Sequence, residues 1–385
     1  MSVRRRTVAV ALTAAVLAGS GAAQARAVPL PRPEAAPPGG AAAVLAGLTL
    51  SQRVGQIFMV GGPATGVGSA TNRAVSRYHV GNVMLTGRSH RGVAATRTVV
   101  QGLQRLTTTS ATGGVPLFVA TDQEGGLVQV LTGPGFSDVP TALAQGRLAE
   151  STLRRHATTW GRQLRSAGVR VNLAPVMDTV PSARFARSNP PIGALDREYG
   201  YTPERVGSRG AAYARGQRAA GVEAAVKHFP GLGRVTANTD TSSGVTDRTT
   251  GRHDAYVRPF AEAIAAGAPF VMMSSAYYPK IDPNSPAVFS GKAIRGMLRG
   301  DLGFTGVVIS DDLANSRQVR SWTPGVRAVR FVRAGGDLVL TVNPATLPAM
   351  YRAVIAEAQA DPAFRAMVDA AALRVLTRKQ AQGLL

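Results

Sequence analysis

The chain has 385 residues, carries 44 lysines and arginines against 22 acids for a formal charge of +22, and contains no cysteine. Without cysteine there is no disulfide framework and no lipid-modified thiol, so an ordinary apolar core has to hold the fold. Only four of the basic residues are lysines, and the arginines are scattered along helical stretches such as TLRRHATTWGRQLRSAG without aromatic interleaving or a basic tail. A nucleic-acid partner is therefore not expected, and the charge is read as compositional bias, with loose attraction to an anionic cell wall as its physical consequence.

In chain order, residues 1–27 come first. Arg4, Arg5 and Arg6 precede the apolar run TVAVALTAAVLAGSGAA, and small residues at Ala23, Ala25 and Ala27 follow. This is the order of a secretory signal peptide, and no stop-transfer charges follow it, so a secreted or cell-wall-associated protein without stable membrane insertion is expected. Residues 28–43, VPLPRPEAAPPGGAAA, read as a Pro/Ala-rich linker. Residues 44–385 are too few for two full-sized enzymes but suit one large α/β barrel.

Eight short apolar runs recur along that segment: 57–61, 82–87, 116–122, 169–178, 222–229, 269–276, 307–312 and 337–342. Their hydrophobicity is continuous rather than alternating, as required of strands buried on both faces of a parallel sheet. Between them PERVGSRGAAYARGQRAAG, AYVRPFAEAIAAG and AMYRAVIAEAQA carry apolar residues at helical spacing, and the first two end in glycine. The spacing predicts a single-domain (β/α)8 TIM-like barrel, with an open doubly wound sheet as the alternative.

Polar residues end five of the runs: Asp122, Asp178, Lys227-His228, Ser274-Ser275 and Asp311-Asp312. In a barrel all carboxyl ends open on one rim, so these residues would meet in one pocket. No H-E-x-x-H or clustered metal spacing occurs, and His79, His90, His156 and His253 stand isolated, so no metal or other cofactor is expected. There is no G-x-S-x-G elbow, and GGPATGVGSATN lacks the Lys-Ser/Thr ending of a phosphate loop. Carboxylates grouped with Lys, His and Arg remain, which is the equipment for hydrolysing a glycosidic bond in a carbohydrate substrate.

The motifs VGQIFMVGG, ATDQEGGLVQVL, NLAPVMDT, IGALDREYG, VKHFPGLG, VMMSSAYYP and GFTGVVISDDL occur in this order. They resemble glycoside hydrolase family three, most of all its single-domain β-N-acetylglucosaminidases, which act on sugar chains derived from peptidoglycan. The resemblance implies a barrel without the second sandwich domain of larger relatives. It also implies that Asp311 is a nucleophile forming a covalent glycosyl-enzyme, and that Asp122, Arg197, Lys227 and His228 bind sugar. Asp312 would point away from its neighbour along a strand, and is expected to be structural.

The loop after Lys227 departs from the family's pattern. Relatives carry a second His-Gly and an Asp-Ser-His whose last histidine is the acid/base. Here the chain reads GLG and NTDTSS, and ungapped counting puts Asn238 on the dyad aspartate and Asp240 on the histidine. The arginines often flanking DQEGG are replaced by Leu127 and Val130. Three readings stand open: Asp240 is the acid/base, its pKa raised by burial once the loop closes over substrate; the loop rearranges and Glu124 protonates the leaving group; or catalysis is weakened and the protein only binds cell-wall sugar. A β-glucosidase-like exo-hydrolase is the alternative activity.

Overall fold

The computed structural model describes residues 40–385. The expected signal peptide and most of the expected linker lie outside the described residues. The last three linker positions, 41–43, are instead the start of a helix, Ala41–Gly47.

The apolar runs become eight parallel strands: β1 (Phe58–Pro63), β2 (Asn82–Thr86), β3 (Phe118–Thr121), β4 (Val171–Asn172), β5 (Glu223–Phe229), β6 (Phe270–Met273), β7 (Val307–Ser310) and β8 (Val339–Thr341). Each pairs with its neighbours in sequence, and β8 pairs with β1 through Phe58↔Val339, Met59↔Leu340 and Val60↔Thr341. A bridge Ile309↔Leu338, with Ser310 N–H donating to Leu338 O at 3.0 Å, joins β7 to β8 and shuts the barrel. An open sheet is thereby excluded.

The unbroken hydrophobicity of the strands has a direct cause, because alternate residues serve two cores. Met59, Phe118, Ala225, Phe270, Ile309 and Leu338 point inward and fill the barrel. Phe58, Val83, Val119, Val226, Val271 and Val308 point outward and pack beneath the helices. Burying each large apolar side chain contributes about 1.5–3 kcal/mol, so neither face tolerates a polar run.

The helices follow their predicted segments. Pro203–Ala219 is capped at its start by the Thr202 side chain, and Gly221 follows it at φ +74°. Arg258–Ala265 is followed by Gly267 at φ +83°, and Leu347–Ala360 covers the third predicted stretch. Glycine accepts the left-handed turn that ends a helix without a Cβ penalty. The run at 169–178 is the exception, since only Val171–Asn172 forms regular strand. Pro175 has no N–H to donate to a ladder, and the chain continues as an extended segment bridged at Val176↔Lys227.

The last helix, Pro362–Ala381, closes the amino-terminal end of the barrel. Its Val375 joins the inner core. Its Lys379 is fully buried, with the ammonium donating at 2.8 Å each to Gln56 Oε1, Gly81 O and Pro116 O. Nearby, Arg378 pairs with Glu223 at 2.6 Å and Arg374 with Asp337 at 3.0 Å, tying the helix to the starts of β5 and β8.

Candidate active site

At the opposite, carboxyl-terminal rim lies a cavity of about 430 Å³ whose walls include Asp122, Arg197, Lys227, His228, Asp240 and Asp311. The six residues given catalytic or sugar-binding roles from the sequence therefore meet in one place. Ser274 and Ser275, also expected there, are instead fully buried and do not line the cavity, the Ser274 hydroxyl bonding to Ala276 N and Tyr278 Oη. Its floor is made of Met84, Leu173, Met272 and Leu340, which also belong to the inner core. The cavity is thus a blind pocket seated on packed hydrocarbon.

Adjacent Lys227 and His228 both reach it, although neighbours on a regular strand face opposite ways. The β5–β6 register explains this: Val226 pairs with Val271 and Phe229 with Met273, so one extra residue is accommodated between them. Such a bulge re-aims side chains.

Lys227 is 3% exposed. Its ammonium lies 2.7 Å from Asp122 and 2.6 Å from Glu124. Burial alone would favour the neutral amine, but Asp122 and then Glu124 outweigh it and raise the lysine pKa above its ordinary value. Glu124 is also gripped in two-pronged fashion by Arg197, Nε to Oε2 at 2.8 Å and Nη2 to Oε1 at 2.7 Å. Burial pushes the Glu124 pKa up, yet Arg197 and Lys227 overcome it and bring the pKa to about 2. A carboxylate held ionised in this way is not a proton donor at neutral pH, which removes Glu124 from the acid/base role. Its task is to fix Arg197 and Lys227. The hairpin Gln123–Gly125 and Val128–Gln129 presents it, turning at Gly125, φ +114°, where a Cβ would lie 2.2 Å from Pro140 O.

His228 is oriented by Asp178, which the sequence marked as a strand end but not as a site residue. Nδ1 of the ring is 2.7 Å from Asp178 Oδ2, while Oδ1 accepts the N–H groups of His228 at 3.1 Å and Leu232 at 2.8 Å. The same buried carboxylate therefore positions the ring, which lines the pocket, and the start of the following loop. A functional pairing between ends of different strands leaves no local sequence signal beyond the acid that ends the run.

Asp311 follows β7, and its Oδ1 accepts the N–H of Asp312 at 2.8 Å. Asp312 spends its carboxylate on backbone: Oδ1 accepts from Ala314 N and Val342 N, both at 2.9 Å, and Oδ2 from Asn315 N at 3.2 Å and Asn315 Nδ2 at 2.8 Å. It also touches the cavity, but its bonds bind the end of β7 to the end of β8, as expected of a structural acid.

The loop bearing Asp240 already sits over the pocket. Thr239 O accepts from Gln318 N at 3.0 Å and Ser316 Oγ at 2.9 Å, and Asp240 O accepts from Arg317 N at 3.1 Å. Asn238, at the dyad position, makes the turn itself: its Oδ1 accepts Asp240 N at 2.8 Å, a local bond typical of asparagine. Asp240 is exposed at the mouth, yet the protein around its carboxyl removes enough solvent to raise its pKa, with the Asp311 carboxylate as second cause, to about 6. His228 and Arg197 oppose that shift. The pocket thus pairs an acid that retains its proton to about pH 6 with a second carboxylate, the division of labour found where two acids act on one bond.

The four isolated histidines lie elsewhere: His79 ends the helix Ser69–Tyr78, His90 contacts Thr132 at 2.6 Å, His156 stacks on Trp160, and His253 is in an exposed turn.

A closed parallel barrel carries carboxylates, Lys, His and Arg together at its carboxyl rim, and comparison with known proteins shows the class to which it belongs. Residues 49–378 match the glycosyl hydrolase family 3 N terminal domain. A solved β-N-acetylhexosaminidase from Beutenbergia cavernae DSM 12333 is 55% identical, with a TM-score of 0.85 over 87% of this chain and 99% of that one. A family 3 β-N-acetylglucosaminidase from Paenibacillus sp. str. FPU-7 is 32% identical, with a TM-score of 0.80 over 88% of this chain and 63% of that one. A β-hexosaminidase of Stenotrophomonas maltophilia (strain K279a) is 36% identical over 237 residues, 60% of this chain and 68% of its own. The chain belongs to glycoside hydrolase family 3, as its motifs suggested, and is a glycoside hydrolase.

Proposed function

We propose that this protein is a retaining exo-β-N-acetylhexosaminidase, with Asp311 as nucleophile and Asp240 as acid/base. Family membership and the activity of its relatives support the hydrolysis of N-acetylhexosamine links. The observation that carries the assignment of roles is the presence of Asp240 and Asp311 in the lining of one pocket, where burial and then the Asp311 carboxylate lift the Asp240 pKa to about 6.

In the first step, Asp311 attacks the anomeric carbon while Asp240 gives its proton to the departing oxygen. In the second, Asp240 takes a proton from water, whose oxygen displaces Asp311 and restores the original configuration. Asp122, Lys227, Arg197 and His228 hold the hydroxyls of the terminal ring. The hydrocarbon floor blocks further penetration, which favours release of single terminal sugars. Export, expected from residues 1–27, would place this activity on amino-sugar glycans outside the cell.

The test is release of nitrophenol from a nitrophenyl N-acetyl-β-glucosaminide by the purified protein, with Asp311→Asn as control. Turnover abolished in the variant, together with a β-configured first product, supports the proposal. Binding without turnover in the wild type would leave a sugar-binding protein, and equal cleavage of the plain glucoside would leave a β-glucosidase-like exo-hydrolase.

A further inference from the structure

The connection between β7 and the helix Pro324–Ala334 begins with Asp311, and further on, at residues 316–318, it receives the loop that bears Asp240. The connection is itself fixed from below. Buried Arg327 donates to Leu313 O at 2.6 Å and to Ala314 O at 3.2 Å, and Val319 packs into the outer core.

Within this stretch Gln318 reaches the loop on both sides of Asp240. Its backbone N–H donates to Thr239 O at 3.0 Å. Its side-chain amide spans Val245, with Oε1 accepting from Val245 N at 3.0 Å and Nε2 donating to Val245 O at 3.1 Å. The residues between these points, 240–244, are thus closed into a short loop whose two ends rest on one glutamine. Gln318 and Val245 are both buried, so water does not compete for these bonds. Tyr277 N, which also donates to Val245 O at 2.9 Å, joins the far end of the loop to the chain leaving β6. The Asp240 carboxyl accepts no hydrogen bond among the described residues, and only its backbone is tied. Its place over the pocket is therefore set by the chain on either side of it, which Gln318 holds.

We infer that Gln318 is a positioning residue for the proposed acid/base: it fastens the Asp240 loop to the segment that carries Asp311, and so fixes the reach between the two carboxyl groups. The inference rests on the proposed glycosidase reading and adds to it a residue outside the lining of the pocket. Two carboxyl groups acting on one glycosidic bond need a set separation, and a misplacement of about 1 Å can cost about 10²-fold in rate. A loop fastened before the substrate arrives meets that need with no reorganisation at the moment of reaction. Ser316 assists at one point only, through its hydroxyl on Thr239 O at 2.9 Å.

The experiment measures kcat/KM for the phenyl and the 2,4-dinitrophenyl N-acetyl-β-glucosaminides, whose leaving groups need a proton strongly and hardly at all. Asp240→Ala should slow the phenyl substrate alone. Gln318→Ala should copy that pattern, slowing the phenyl substrate about 10²-fold and the dinitrophenyl one less than about threefold. Added to Asp240→Ala, it should slow the phenyl substrate no further, because it acts through the side chain already removed. Ser316→Ala should show the same selectivity with a slowing of about tenfold, and it carries the test if Gln318→Ala does not fold. An unchanged phenyl rate, equal slowing of both substrates, or losses that multiply in the double variant would overturn the inference. An Asp240→Ala enzyme as fast as wild type on the phenyl substrate would instead count against Asp240 as the acid, whatever Gln318 does.

Discussion

Lys227 and Lys379 are both buried, one at each end of the barrel, and they are held in opposite ways. Lys227 faces two carboxylates at 2.6 and 2.7 Å and has its pKa raised. Lys379 faces three uncharged oxygens, and burial alone drives its pKa well below the ordinary value. A buried cation beside anions is fixed as a charge and can be used on substrate. A buried lysine in a cage of uncharged oxygens serves as a three-pronged tie for the last helix. The same residue type thus marks a reactive rim and a structural rim, in keeping with the usual division of labour between the two ends of such barrels.

The largest effect that would separate the rims is at Asp311. Asp311→Asn should lower kcat by about 10⁴-fold or more with the melting temperature little changed, as enzyme assay and calorimetry would show. Next, Lys227→Met should cost about 10²-fold in kcat/KM and also destabilise the fold, because Asp122 and Glu124 lose a buried partner. Loss of activity with no thermal effect would break the view of that lysine as part of a tight charge cluster.

The pH profile comes third. As the proposed acid, Asp240 would carry its proton when the sugar leaves, so kcat/KM should fall about tenfold per pH unit above about 6, the level to which its pKa is raised. In Asp240→Ala, assayed with a good aryl leaving group, that limb should vanish; its persistence would assign the acid elsewhere.

At the other rim, Lys379→Met should leave kcat/KM untouched and lower the melting temperature by about 2–6 °C, from the desolvated acceptors it strands. The smallest effect is one of sign. The unfolded chain binds more protons than the folded one at Lys379 below pH 10.5, so that group makes stability rise with pH towards 10.5. Lys227, with its pKa raised, contributes stability that is present below 10.5 and lost above its folded value. Alkaline unfolding curves of Lys379→Met and wild type should therefore differ in slope, and parallel curves would contradict the contrast.

Much of the reactive rim could be read in the sequence because strand-end residues in a parallel barrel share one face by geometry. Each apolar run announced its strand, and the polar residues after four of them announced the pocket or, in Asp178, its support; Ser274 and Ser275 after the sixth do not line it. What stayed hidden depends on pairing across distance. The bulge that turns Lys227 and His228 the same way is a register relation with β6, and the grip of Asp178 on His228 spans two strands. Glu124 is legible as an acid but not as a clamped one until Arg197 and Lys227 are seen on it. Lys379 had no signal at all, since a lysine near the end of a helix reads like any solvated one. The loop at Asp240 was expected to close over substrate, whereas its bonds to residues 316–318 already hold it in place.

Asp311 stands where the cylinder is sealed. Ser310 Oγ accepts the N–H of Leu340 at 2.9 Å and Asp312 accepts that of Val342, so Asp311, the proposed nucleophile, is set by the joint between the seventh and eighth strands. On the proposed roles, a chain with seven strands assembled and that joint still ajar would have its sugar-binding residues in place but Asp311 unaligned. In a refolding experiment, turnover would then count completed cylinders, and binding of a sugar would count those and the unfinished ones together.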